Sequence, residues 1–80
     1  MNTRYQVVLL TPDDPSLIGR FMLVFTRRRI VVTDFAYSKT GEGQGEMTID
    51  FEAEAWTAEN VCKQLAKQID IRQADLHILA

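Results

Sequence analysis

Residues 46–54 read EMTIDFEAE, with apolar and polar side chains in strict alternation. A period of two is typical of a β-strand that packs one face on a core and leaves the other face wet or paired. The stretch therefore predicts a strand, and its core-facing residues are Met47, Ile49, Phe51 and Ala53.

A helix is predicted directly after this strand. Thr57 is expected to cap the helix N-terminus, with Trp56 and Val61 spaced as a hydrophobic staple. Residues at helical spacing form the expected buried stripe, namely Val61, Cys62, Leu65 and Ile69.

A strand, a turn and a helix are predicted at the N-terminal end. Residues 5–10, YQVVLL, form an apolar strand that is expected to stop at TPDDP, residues 11–15. Asp13 or Asp14 is expected to cap the helix that follows, with Pro15 in its first turn. Apolar residues at helical spacing predict a core-facing stripe of Leu17, Ile18, Phe21, Val24 and Phe25.

The middle of the chain predicts a strand and a loop. Residues 30–38 are rich in strand formers, and the side-chain parity shifts between Val32 and Phe35, which indicates a bulge or twist. Residues 39–45, KTGEGQG, are expected to form a flexible hairpin loop. A phosphate cradle is not favoured there, because no helix follows the glycines and nearby glutamates would repel an anion.

A final strand is predicted over residues 71–79, where Leu76 and Ile78 supply the alternation. The order β-α-β-β-α-β in 80 residues predicts a single α+β domain over residues 1–80. Its architecture is a ferredoxin-like βαββαβ sandwich, in which two helices cover one face of a four-stranded antiparallel sheet. The apolar second strand would lie at a sheet edge, which predicts a homodimer.

Composition excludes several classes of function. The net charge of −2 and the pI near 5.2 argue against a nucleic-acid partner, since phosphate binding needs a basic surface. The chain has one cysteine and no apolar run long enough to cross a bilayer, so we expect no intrachain disulfide, no membrane partner and a cytoplasmic location.

Few residues are suited to catalysis. His77 and Asp75 share a strand face, but two ligands are too few for a closed metal site. Asp50, Glu52 and Glu54 are expected to lie on a wet face without a pocket. The sequence therefore favours binding over catalysis, with no metal and no cofactor, and a small ferredoxin-like enzyme is the third interpretation.

Two stretches resemble a known family. Residues 13–37, DDPSLIGRFMLVFTRRRIVVTDFAY, resemble the ACT-domain opening of acetohydroxyacid (acetolactate) synthase small regulatory subunits, N-x-x-G-x-L-x-R-V-x-x-L-F-x-R-R-G-[YF]-N-I-x-S-L. Residues 61–71, VCKQLAKQIDI, are similar to the family's second helix and its K-Q-L-x-K-x-[IVL]-[DE]-V ending. The resemblance implies an ACT domain.

The resemblance also implies a dimer joined edge to edge, with a branched-chain amino acid bound between the first loop and the neighbouring second strand. The effector-binding positions it implies are Asp13, Asp14, Pro15, Ser16, Leu17, Ile18 and Val31, and the candidate interface residues are Arg20, Leu23, Arg27, Val31 and Thr33. Asp13, Ser16 and Val31 stand where the family has asparagine, glycine and asparagine. Weak or absent valine binding is expected, because Asp13 would repel a carboxylate and lost donors reduce affinity.

In this family the small subunit docks on a large catalytic subunit that carries thiamine diphosphate, FAD and magnesium. The leading hypothesis is therefore a non-catalytic regulatory subunit, or a homologue of one, in branched-chain amino-acid biosynthesis. The alternative is a stand-alone ACT module that senses another amino acid or small ligand at a dimer interface. In that case Asp13, Asp14 and Ser16 would attract an amino group.

Overall fold

The computed structural model describes residues 2–79, so the two terminal residues of the predicted domain lie outside it. Two helices and four strands follow the predicted order: β1 Thr3–Pro12, α1 Ser16–Arg27, β2 Val31–Gly41, β3 Gln44–Ala53, α2 Ala55–Ala66 and β4 Gln73–Ile78. The strands form one sheet in the order β2-β3-β1-β4, and all neighbouring strands are antiparallel. The predicted ferredoxin-like sandwich is confirmed.

The core lies between the two central strands and the helices. The alternation predicted for β3 is confirmed, because Met47, Ile49, Phe51 and Ala53 are all buried. Phe51 is central, with its ring 5.1 Å from that of Phe25 and 5.9 Å from that of Tyr5. The helical spacing of α1 also gives the predicted stripe: Leu17, Phe21, Val24 and Phe25 are buried and Ile18 is half-buried.

Strand β1 is longer than predicted. The prediction that it stops at residue 10 was wrong, because Thr11 and Pro12 continue the ladder opposite Gly45 and Gln44. A proline is tolerated here because β4 pairs with β1 only as far as Leu10, which leaves one side of β1 without a ladder bond to lose. The extension places the turn into α1 beside the end of the β2–β3 hairpin.

The hairpin between β2 and β3 is tighter than predicted. The flexible loop expected over residues 39–45 was wrong, since the strands run to Gly41 and from Gln44 and leave a two-residue turn. Gly43 supplies the positive φ of 70° that such a turn requires. The predicted bulge is confirmed: Val32 faces Phe51 while Asp34 faces Asp50, so Thr33 is the extra residue.

The start of α2 also differs from prediction. The helix begins at Ala55, so Thr57 lies inside the first turn and is not the cap. Trp56 is 62% exposed, so the predicted staple with Val61 was wrong. The Trp56 indole instead donates a hydrogen bond to Glu54 Oε2 over 3.2 Å.

The prediction that Ile69 is buried was wrong, and Ile78, which supplies part of the predicted alternation of the last strand, is also exposed. Ile69 is 93% exposed because α2 ends at Ala66, three residues earlier. Its place in the buried stripe is taken by Ala58, one turn before Val61. Ile78 is 69% exposed because it is the last residue of an edge strand.

Candidate functional site

The turn between β1 and α1 satisfies its own backbone donors. Asp14 Oδ1 accepts the backbone N–H of Ser16 at 3.1 Å and the Ser16 hydroxyl at 2.8 Å. The N–H groups of Leu17 and Ile18 donate to the carbonyls of Asp14 and Pro15, both at 3.1 Å. The N-cap position is Pro15, without a side-chain cap, so the prediction that Asp13 or Asp14 caps the helix was wrong. Asp14 lies one residue earlier and accepts the first helical N–H, so the three donors that could receive a carboxylate are already bonded within the chain.

A second cluster ties this turn to β2. The Tyr37 hydroxyl donates to Asp13 Oδ1 over 2.6 Å, and Lys39 Nζ lies 3.3 Å from Asp13 Oδ2. Both groups stabilise the carboxylate, first Tyr37 and then Lys39, and they hold the pKa of Asp13 below its ordinary value. The same hydrogen bond raises the pKa of Tyr37. The Asp13 carboxylate thus has two side-chain partners, both on β2.

Gly45 makes this cluster possible. It is buried on β3, and a Cβ at this position would lie 2.6 Å from Tyr37 Oη and 2.9 Å from two carbons of the ring. The ring therefore lies directly over the glycine backbone, which is the close approach that glycine permits within a strand. We refer to Asp13, Tyr37, Lys39 and Gly45 as the turn latch.

Sequence reasoning found only one member of the turn latch, Asp13. The sequence feature that could have indicated the cluster is Gly45. It lies two residues before Met47 and so on the core-facing side of β3, but the stretch was predicted to be a loop. A glycine at a core-facing strand position indicates that another group approaches the backbone closely.

The predicted effector residues separate into two sets. Asp13, Asp14, Pro15, Ser16, Leu17 and Ile18 lie at one end of the sheet, where Leu17 turns its side chain into the core. Val31 lies at the opposite end of β2, where it pairs with Glu52 and is 61% exposed. Ten strand positions at about 3.3 Å each separate Val31 from Gly41, so one protomer does not bring the two sets together.

The predicted interface residues also lie on two surfaces. Val31 and the exposed bulge residue Thr33 belong to the free edge of β2. Arg20, Leu23 and Arg27 lie on α1 and line a groove between the helices. Arg20 forms an ion pair with Asp70, and Leu23 is 46% exposed.

Cys62 lies on α2 at the edge of the core and is half-buried. Burial raises the pKa of its thiol, and the negative charge of Asp75 adds to the effect. Within residues 2–79 no three His, Cys, Asp or Glu side chains are grouped to hold a metal ion. Over the same residues, neither helix combines the length and apolarity that a bilayer crossing requires.

Comparison with known proteins gives the fold and not a family. No protein-family profile matches the sequence, and no curated protein matches it. Many solved structures share its architecture. One is the acetolactate synthase small subunit from Thermotoga maritima, which is 18% identical with a TM-score of 0.78, over 91% of this chain and 46% of that chain.

Two further structures match at a similar level. The ligand-free regulatory subunit of aspartate kinase from Thermus thermophilus is 19% identical with a TM-score of 0.74, over 94% of this chain and 50% of that chain. The ACT domain from the GTP pyrophosphokinase of Chlorobium tepidum is 8% identical with a TM-score of 0.78, over 95% of this chain and 99% of that chain. The chain thus spans about half of the acetolactate synthase small subunit, half of the aspartate kinase regulatory subunit and nearly the whole of the isolated ACT domain. It has the ferredoxin-like fold of ACT domains.

Proposed function

We propose that this chain is a non-catalytic regulatory subunit, either the small subunit of acetohydroxyacid synthase or a homologue of it, that binds valine weakly or not at all. The sequence resemblance over residues 13–37 and 61–71 and the shared fold of an acetolactate synthase small subunit support the proposal. The proposed role requires binding to a partner and no catalytic step by this chain.

The single observation that carries the proposal is that the backbone N–H groups in the turn into α1 are already hydrogen-bonded within the chain. An effector carboxylate at a helix N-terminus needs free backbone N–H groups. Here the N–H groups of Ser16, Leu17 and Ile18 are bonded within the chain, and the carboxylates of Asp13 and Asp14 add negative charge beside them. A valine carboxylate would have to displace Asp14 and approach Asp13, which explains the expected weak binding.

The sheet topology supports a homodimer through β2 as part of this proposal. β2 is an 11-residue edge strand with exposed backbone groups along one side. Antiparallel pairing of two β2 strands about a twofold axis would bring the start of one strand against the end of the other. Val31 of one copy would then lie beside the Asp13 turn of the second copy, which joins the two sets of predicted effector residues.

A second candidate function is a stand-alone module that senses an amine-bearing ligand through its acidic turn. Asp13 and Asp14 supply the negative charge, and the Lys39 ammonium shows that Asp13 accepts an amino group at 3.3 Å. Isothermal titration calorimetry with the twenty amino acids distinguishes the two functions. Binding of an amino acid without any catalytic partner favours the sensor.

Co-purification with the large subunit of an acetohydroxyacid synthase tests the leading proposal. We expect a stable complex whose activity differs from that of the large subunit alone, and we expect valine to change that activity little. A Val31→Lys variant, which charges the sheet edge, provides a chain that should fold but pair poorly. Failure to form a complex, together with unchanged activity, would contradict the proposal.

A further inference from the structure

A groove with a volume of about 460 Å³ runs between the two helices on the face away from the sheet. Its lining includes Arg20, Leu23 and Arg27 of α1, Arg28 directly after α1, and Gln64 of α2. We refer to it as the helix groove. Three of its residues, Arg20, Leu23 and Arg27, are among the predicted interface residues, but neither the turn latch nor the sheet edge includes them.

Two side-chain bridges close the ends of the helix groove. At one end Arg20 pairs with Asp70, just beyond α2. At the other end Arg28 donates from Nε and Nη2 to Gln64 Oε1, at 3.3 and 3.0 Å. Eight helical residues separate Arg20 from Arg28, which is roughly 12 Å at 1.5 Å per residue. The open length between the bridges therefore fits about two turns of another helix.

The lining of the helix groove is rich in donors and carries positive charge. Asp70 compensates Arg20, which leaves the guanidinium groups of Arg27 and Arg28 at one end. Because Gln64 Oε1 already accepts from Arg28, the polar group that Gln64 still offers is its amide NH₂, a donor. An acidic occupant matches this end, since guanidinium groups bind carboxylates with favourable geometry.

Leu23 gives the occupant a second requirement. It is 46% exposed in the middle of the helix groove, one turn before Arg27, and beside the buried Val24. An aliphatic side chain of an occupant would cover it, and acidic side chains four and seven residues further along the occupant would be within reach of the long side chains of Arg27 and Arg28, which are neighbours at the end of α1. This spacing is that of one face of an α-helix.

We propose that the helix groove docks a helical segment of a partner protein that carries one aliphatic and two acidic side chains on the same face. The inference rests on the proposed function only in that the chain acts through a protein partner. The acidic side chains lie over Arg27 and Arg28, and the aliphatic side chain lies over Leu23.

A second copy of this chain fits the helix groove less well. The acidic side chains of Glu46, Asp50 and Glu52 project from the outer face of β3, but a sheet face is too broad to enter a groove between two helices. Such a contact would also join unlike surfaces, so it would not close on two copies and would generate open chains. Self-association of that kind is therefore one outcome of the test.

The test uses the full chain labelled with ¹⁵N and three synthetic helical peptides in an alanine-rich host. The first peptide has a leucine followed by glutamates four and seven residues later. The second has lysines in place of the glutamates, and the third carries the same leucine and glutamates on opposite faces. We expect saturable shifts for the first peptide only, confined to the amides of Leu23 and Gln64 and the Nε groups of Arg27 and Arg28.

Variants of Arg27, which belongs to neither bridge, test whether charge determines the affinity for the peptide. Arg27→Gln should weaken binding of the first peptide roughly threefold, and Arg27→Glu should abolish it and allow the lysine peptide to bind. Lys63→Gln, a matched loss of positive charge on α2 outside the lining, should change the affinity less than twofold.

Three results would overturn the inference. The first is the absence of saturable shifts in the helix groove, and the second is equal binding of all three peptides. The third is a sedimentation coefficient that grows without limit with concentration, which would assign the groove to a second copy. Failure of the chain to bind a synthase large subunit, with peptide binding intact, would count against the proposed function alone.

Discussion

Replacing Gly45 with alanine tests whether the turn latch depends on a bare backbone beneath Tyr37. The added Cβ would lie 2.6 Å from Tyr37 Oη and 2.9 Å from Cε1 and Cζ of the ring, well inside van der Waals contact. The ring must therefore move. Because its hydroxyl is bonded to Asp13 over 2.6 Å, the movement also separates the turn from β2.

The expected magnitude combines two opposing effects. Overpacking of an ordered site costs about 1–3 kcal/mol. Alanine regains about 0.5–1 kcal/mol relative to glycine, because it loses less backbone entropy on folding. We therefore expect Gly45→Ala to lower the free energy of unfolding by about 1–2 kcal/mol. In a Tyr37→Ala background the clash is absent, so the same substitution should be neutral or slightly stabilising.

Urea unfolding followed by circular dichroism measures all four proteins of this double-mutant cycle. With an m-value of about 1 kcal/mol/M for a chain of this size, the midpoint should fall by roughly 1–2 M for Gly45→Ala alone. Gly41→Ala provides the matched control, since a Cβ there meets no atom within 4 Å. An equal cost of Gly45→Ala with and without the Tyr37 ring would refute the close-approach argument.

Four further predictions concern the turn, the sheet edge and the thiol. The lowered pKa of Asp13 contributes stability that is present above the unfolded aspartate pKa of about 3.9 and is lost as the pH falls through the folded value. The free energy of unfolding of Asp13→Asn, measured by urea titration, should therefore fall less steeply than that of the parent chain as the pH is lowered from neutral. An equally steep fall would argue against the pairing of Asp13 with Tyr37. Asp14→Ala frees the Ser16 N–H and removes a carboxylate, so calorimetry should detect tighter valine binding than in the parent chain. Asp75→Ala makes the same change of charge on β4, at the far edge of the sheet, and should leave the valine affinity unchanged. Val31→Lys should shift light scattering from dimer toward monomer because it charges a free strand edge, whereas Gln73→Lys on β4 should not. Because burial raises the pKa of Cys62, iodoacetamide should alkylate the folded chain more slowly than the chain in urea, and equal rates would show that the thiol is open to solvent.

Short-range patterns were sufficient to predict the fold. The alternation of β3 and the stripe of α1 gave the packed faces, and the parity change after Val32 gave the bulge at Thr33. Errors occurred at the ends of elements, where tertiary pairing overrides local preference. Pro12 remains in β1 because only one side of the strand is paired there, and Thr57 is not a cap because α2 starts two residues earlier.

The candidate site was less accessible to sequence reasoning. Asp13 and Asp14 were identified as polar turn residues, but their partners depend on contacts between distant positions. Tyr37 lies 24 residues from Asp13, and it reaches the turn only because β1 and β2 both flank β3 and end at the same side of the sheet. The bridges of the helix groove span 50 and 36 residues for the same reason, since the two helices are adjacent only once the sheet has formed.

The two edges of the sheet differ in how readily they can recruit another strand. β2 offers 11 residues, interrupted by the bulge at Thr33, whereas β4 offers six and presents the polar side chains of Gln73, Asp75 and His77 to water. Short polar edges resist the addition of further strands. Addition of a further strand is thus favoured at β2 and disfavoured at β4. Pairing of two molecules through β2 would give an eight-stranded sheet with a β4 strand at each edge. In the proposed dimer such a sheet would stop at two chains, which would protect a small protein with an open sheet from fibrous aggregation.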